Sequence, residues 1–100
     1  MTKLPSGIYK ITNLKNGKVY IGQSENIFVR RKQHFGALRK GSHSNKQMQE
    51  DFSKQKGRGF RWDVIEYCGL AELNKREKYW IDQYESIKCG YNSGWIPYKR

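Results

Sequence analysis

The stretch from residue 7 to residue 22, GIYKITNLKNGKVYIG, restricts the fold more than any other part of the chain. Asn16-Gly17 is a strong hairpin-turn signal, because both residue types tolerate the positive φ that a tight connection needs. The flanking segments, residues 8–12 and 18–22, are rich in β-branched and aromatic residues and are expected to pair as antiparallel strands. Directly opposed residues point to one face, so a connection of two or four residues sets Tyr9, Ile11, Tyr20 and Gly22 together, whereas an odd loop separates the tyrosines. In the four-residue version Asn13 faces Lys18, Ile11 faces Tyr20, and Tyr9 faces Gly22, where the missing side chain leaves room over the sheet.

Downstream, Ser24 or Asn26 can cap a helix running to about Lys40, with Ile27, Phe28, Phe35 and Leu38 at helical spacing and Gly41 as its stop. Ser44 can cap a shorter helix to about Lys56, anchored by Met48 and Phe52, before Gly57 and Gly59 break the chain. Residues 60–68 alternate as a third strand, with Phe60, Trp62, Val64 and, by continuation, Glu66 on one side and Arg61, Asp63, Ile65 and Tyr67 on the other. A last helix from Leu70 or Ala71 to about Ser86 carries Leu70, Leu73, Trp80, Ile81 and Tyr84 on one stripe, and the chain from Gly90 is irregular. The expected architecture is α+β, a small antiparallel sheet with helices packed on it, in one domain spanning residues 1–100.

Twenty Lys and Arg against nine Asp and Glu give a net charge of +11, spread from Lys3 to Arg100. That points to a polyanionic partner. Nucleic acid outranks a membrane surface, since no basic amphipathic run is matched by a large apolar face while three Trp and seven Tyr offer stacking surfaces. The competing explanation is a basic but inert surface. Cys68 and Cys89 lack C-x-x-C spacing and read as small core fillers in a reducing compartment, with no disulfide expected. Apolar runs are too short for a membrane span, and the scattered His and Cys residues do not suit a structural zinc site.

A few residues break the packing pattern. Glu77 lies four after Leu73 and four before Ile81, inside the apolar stripe, where a carboxylate needs a counter-charge or a metal ion. A buried salt bridge to an arginine and a functional site are both open there. Arg30 and His34 are spaced i, i+4 and project together, which suits a phosphate, although each alone also fits a solvated basic face. His43 is a loop histidine with no partner evident from sequence. Tyrosines in a hairpin ordinarily pack, and a phenol is a poor base unless nearby cations stabilise its phenolate.

Gly7-Ile8-Tyr9, ten residues, then Tyr20-Ile21-Gly22 resembles the motif that names the GIY-YIG nuclease family, letter for letter. The family's helical arginine corresponds to Arg30, its glutamate to Glu77 within the run REKYWI, and its C-terminal asparagine to Asn92 within Gly90-Tyr91-Asn92. The likeness is greatest to catalytic domains of phage-type homing endonucleases, which also have histidines at the positions of His34 and His43, and it covers essentially residues 6–93. Gln23-Ser24 stands where many members carry a lysine close by.

The resemblance implies a three-stranded antiparallel sheet flanked by helices and hydrolysis of DNA phosphodiesters with one divalent cation, Mg²⁺ or Mn²⁺, on Glu77. Tyr9 or Tyr20 would be the general base, Arg30 would stabilise the transition state, His34 would assist proton transfer, and Asn92 would complete the site. Lys10 and Lys18 on the hairpin, Arg31 on the first helix and His43 after it are the candidate nucleic-acid contacts. A separate DNA-recognition region or partner is expected, as is a bacterial or phage-infected cytoplasm. The rival class is a non-catalytic basic module that binds DNA or RNA; retention of both Glu77 and Arg30 speaks for the enzyme.

Overall fold

The computed structural model describes residues 5–98. Lys3 and Arg100, which bound the spread of basic residues, lie outside them. Strands β1 (Gly7–Asn13) and β2 (Val19–Ser24) form the hairpin, helices α1 (Ile27–Lys40) and α2 (Lys46–Lys54) follow, then strand β3 (Phe60–Tyr67), a 3-10 turn (Leu70–Glu72) and helix α3 (Leu73–Tyr84). The sheet is antiparallel with order β2-β1-β3, so the hairpin's first strand is central.

The hairpin has the even register. Tyr9 pairs with Gly22 and Ile11 with Tyr20, the Asn13 N–H donates to the Lys18 carbonyl at 2.9 Å, and Gly17 takes the left-handed conformation at φ 77°. Asn26 caps α1, its side-chain oxygen accepting the Val29 N–H, and Gly41 ends the helix at φ 77°. The cap of α2 is Asn45, one residue beyond Ser44, with its side-chain oxygen accepting the Met48 N–H; the helix ends at Lys54, two residues short of the expected Lys56.

Strict alternation fails in β3. Ile8 pairs with Glu66 but Tyr9 with Val64, leaving Ile65 as the extra residue of a bulge. Glu66 therefore leaves the Phe60/Trp62/Val64 face, and its carboxylate accepts hydrogen bonds from the Arg76 guanidinium and the Trp80 indole on α3.

The sheet separates two cores. Ile11 packs with Leu38, Met48, Phe52 and Tyr91 beneath α1 and α2, and Tyr20, Phe35, Phe60 and Trp62 border this cluster. On the other face Ile8 and Ile21 meet Leu73 and Ile81 of α3, with Val19, Ile65, Cys68 and Trp80 around them. Burial of each such side chain contributes on the order of 1.5–3 kcal/mol. Four residues expected inside are instead exposed: Phe28, Leu70 and Tyr84, and Cys89. Phe28, one residue after the buried Ile27, lies off the arc formed by Ile27, His34 and Leu38. Leu70 lies in the 3-10 turn before α3, and Tyr84, its last residue, meets the sheet through the Lys10 side chain.

After α3 the chain runs back along the open side of β2. The Tyr91 N–H donates to the Val19 carbonyl at 3.0 Å, and the Asn92 amide accepts the Ile21 N–H at 2.8 Å and donates to the Ile21 carbonyl at 2.9 Å. The hairpin's outer edge is thereby covered. Among the described residues no helix is long and apolar enough to cross a membrane.

Candidate active site

Beside β2 lies an open cavity of about 720 Å³ whose walls include Tyr9, Tyr20, Arg30 and Glu77. Four elements supply them. Tyr9 and Tyr20 come from the α1 face of the hairpin, Arg30 from the first turn of α1, and Glu77 from α3 on the opposite face of the sheet. Glu77 is anchored beside the edge strand by Gln23, whose side-chain N–H donates to its Oε1 at 2.9 Å, and the Trp95 indole donates to the same oxygen at 3.0 Å. Arg76, one residue earlier, is engaged with Glu66.

The two motif glycines have physical reasons. A Cβ at Gly22 would stand 2.2 Å from the Tyr9 hydroxyl oxygen, and one at Gly7 would stand 2.3 Å from the main-chain oxygen of Glu66. The first glycine lets β3 approach β1 and the second makes space for the phenol head. Gly22→Ala is expected to cost about 1–3 kcal/mol of stability through overpacking, measured as a lowered urea midpoint; an unchanged midpoint would show that the ring swings aside freely.

Tyr9 is almost wholly buried, its ring stacked on Trp62 at 4.4 Å, and its hydroxyl lies 2.6 Å from His34 Nε2. His34 Nδ1 lies 2.7 Å from His43 Nε2, and His43 Nδ1 accepts the main-chain N–H of Asn45 at 3.0 Å. That last contact orients the chain. With Nδ1 taken as an acceptor, a neutral His43 carries its proton on Nε2 and donates to His34 Nδ1; His34 then carries its proton on Nε2 and donates to the Tyr9 oxygen. His34 thus supports a phenolate on Tyr9 instead of removing its proton.

Burial sets the charge states. It raises Tyr9 far above the ordinary phenol range, with the nearby Tyr20 adding to the shift and Arg30 opposing it. Tyr20 is also raised by burial, against the pull of Arg30. Burial, then the charges of Arg30 and His43, push His34 down to about 3, and burial with Arg30 lowers His43. Both imidazoles are therefore neutral at pH 7.

A stability effect follows. Between His34's ordinary 6.5 and its folded value near 3, the unfolded chain binds a proton that the folded chain does not, so stability is full above pH 6.5 and falls as pH drops. The loss from His34 alone is about 2 kcal/mol by pH 5. Urea titrations at pH 7 and pH 5 should show it, and His34→Gln should flatten the dependence; an equally steep dependence in the variant would assign it to other groups.

Of the sequence-predicted residues, Tyr9, Tyr20, Arg30 and Glu77 share the cavity wall, with His34 directly behind Tyr9. Two expected residues stand outside the cavity wall. His43 is buried and stacked on His34 at 4.9 Å, as an inner member of the relay. Asn92 is not among the cavity-lining side chains, and both ends of its amide engage the Ile21 main chain, which makes it a clamp on β2. Lys10 points to the α3 face, where it donates to the Tyr84 hydroxyl at 3.2 Å. Lys18 sits over the Tyr91 ring, and Arg31 is exposed on α1. Sequence reasoning did not find Gln23, Trp95 or Trp62 as supports; only Gln23 carried a signal, by standing next to the second triplet.

The cavity, with the Glu77 carboxylate, the Arg30 guanidinium and the Tyr9 and Tyr20 phenols among its walls on a β2-β1-β3 sheet, has the makings of a phosphodiester-cleaving site. A family model described as "GIY-YIG catalytic domain" matches residues 5–92, and the chain belongs to that family of endonuclease domains. Among particular relatives, it is 37% identical over 91 residues to intron-associated endonuclease 1 of Enterobacteria phage T4; that alignment covers 89% of this chain but 37% of the relative's length. The solved catalytic domain of the homing endonuclease I-TevI superposes with a TM-score of 0.82 at 36% identity, covering 89% of this chain and 98% of that one. A glutamate-to-alanine mutant of the same catalytic domain gives 0.84 at 34% identity, covering 94% and 98%.

Proposed function

We propose that this domain hydrolyses DNA phosphodiesters using one divalent cation held by Glu77. What supports this is the convergence of Tyr9, Tyr20, Arg30 and Glu77, drawn from both faces of the sheet, on one open cavity. Among the described residues no three of His, Cys, Asp and Glu gather into a ligand cluster, and a single carboxylate ligand suits Mg²⁺ or Mn²⁺, which keep most of their waters. When bound, the cation supplies Lewis-acid stabilisation of the leaving oxygen.

The protein's own groups do the remainder. Arg30 pairs with a non-bridging phosphate oxygen and neutralises charge that grows on phosphorus. Tyr9 is the general base, because its oxygen is held in place by Trp62 and by the His34 donor, which favours the phenolate. Tyr20, whose pKa burial also raises, keeps its proton and donates it to the phosphate. His43 is a positioning residue that acts through His34. Asn92 and Gln23 hold the edge strand and Glu77 in relation to each other. Site preference comes from a separate DNA-recognition region or partner, and the setting is a bacterial or phage-infected cell.

The test is incubation of supercoiled plasmid with purified protein in Mg²⁺, in Mn²⁺ and in EDTA. Conversion to open-circle or linear DNA in the metals and none in EDTA is the expected result. A plasmid that is shifted on a gel yet uncut in every condition would favour a binding module instead.

A further inference from the structure

Apart from the cavity, α1 and β3 enclose a second groove of about 440 Å³. Its α1 wall is a stripe at helical spacing in which Phe28 and Phe35 alternate with Arg31, Lys32 and Arg39. Phe60 and Trp62 of β3, an edge strand, form the opposite wall. Three cations and no carboxylate line the groove. The core does not account for Phe28: α1 buries Ile27, His34 and Leu38, while Phe28 is 59% exposed. Trp62, which lines this groove, is stacked on Tyr9 of the cavity wall.

We propose that this groove binds a short single-stranded segment of nucleic acid, with an unpaired base stacked on Phe28 and its flanking phosphates on Arg31, Lys32 and Arg39. The choice of nucleic acid rests on the nuclease reading above. The choice of a single strand rests on the aromatics: in a duplex the base faces are already stacked, and an exposed phenylalanine between cations would have nothing to cover it. Aromatic surfaces set in a positive groove are the recurring means of holding unpaired bases without sequence preference.

The test is fluorescence anisotropy in EDTA, with a short labelled oligothymidylate and a labelled hairpin duplex as probes, on wild type, Phe28→Ala and Arg39→Ala. Phe28→Ala is expected to weaken oligothymidylate binding about tenfold and leave duplex binding within about twofold. Arg39→Ala should weaken the same probe and reduce its salt slope by about 0.7, the loss of one phosphate contact. Phe28 is exposed, so the fold should survive, and circular dichroism checks this. Failure of wild type to bind oligothymidylate, or wild-type affinity in Phe28→Ala, would overturn the proposal; equal losses on both probes would overturn it in favour of a duplex-backbone surface. The plasmid assay is read separately. Protein that binds the oligothymidylate through Phe28 but never cuts refutes the nuclease reading and leaves the groove standing.

Discussion

Glu77→Gln and Glu77→Ala should both be inactive in the plasmid assay, with cleavage reduced at least ~10³-fold in Mg²⁺ and in Mn²⁺, while gel-shift affinity for the uncut plasmid stays close to wild type. The two variants separate chemistry from packing. Glutamine retains an amide oxygen that can accept from Gln23 and Trp95, as Glu77 Oε1 does at 2.9 and 3.0 Å, so it removes the charge while preserving the local bonds. Alanine removes both. Loss of activity in the two together, with unchanged circular dichroism, assigns the effect to the carboxylate as cation ligand. Activity retained in the glutamine variant and lost with alanine would make Glu77 a structural acceptor and sink the metal assignment.

Arg30→Ala is expected to lower the cleavage rate at saturating DNA by about 10²-fold or more, the usual effect of removing one charge contact made in the transition state. Two consequences reinforce each other. Arg30 lines the cavity where the phosphate would sit, and its charge opposes the upward shift of both tyrosines, so its removal makes a phenolate harder to form. Its side chain donates to Gln33 at 3.0 Å and also interacts with the Tyr9 hydroxyl, and circular dichroism checks that the fold survives its loss. Arg30→Lys should recover part of the rate, because the charge remains while the two-pronged guanidinium geometry does not. A cleavage rate within about threefold of wild type in Arg30→Ala would end the transition-state assignment, and a collapsed circular dichroism spectrum would make Arg30 a folding residue.

The hairpin was readable before the structure because turn chemistry and pleat are local. Asn16-Gly17 and an even loop suffice to put Tyr9, Tyr20 and Gly22 on one face, and the four-residue loop sets Tyr9 against Gly22. Glu77 was readable as an anomaly, since a carboxylate within an apolar helical stripe requires an explanation. His43 was not readable. Its partner His34 is nine residues away, across the end of α1, and the 2.7 Å contact exists because the loop carrying His43 folds back over the first core. The orientation of that relay depends on a main-chain N–H of Asn45, which no side-chain pattern reveals.

Glu66 shows the limit of periodicity. Alternation assigned it to the Trp62 side, but a bulge at Ile65 turned it toward α3, where Arg76 and Trp80 satisfy it. Asn92 shows a different limit: a family position identifies a residue, while its hydrogen bonds to Ile21 decide that it holds the edge strand.

What the sequence determined by itself is therefore what short-range stereochemistry and net charge dictate: the hairpin and its turn, the span of α1 with its Gly41 stop, a basic composition, and an acid out of place on α3. Tertiary structure alone decided that α3 lies across the sheet from α1 yet reaches its β2 edge, bringing Glu77 to the same cavity as Tyr9, Tyr20 and Arg30. Those contacts join residues dozens of positions apart, and their energies come from burying two cores on opposite faces of one sheet, a balance that no local window contains.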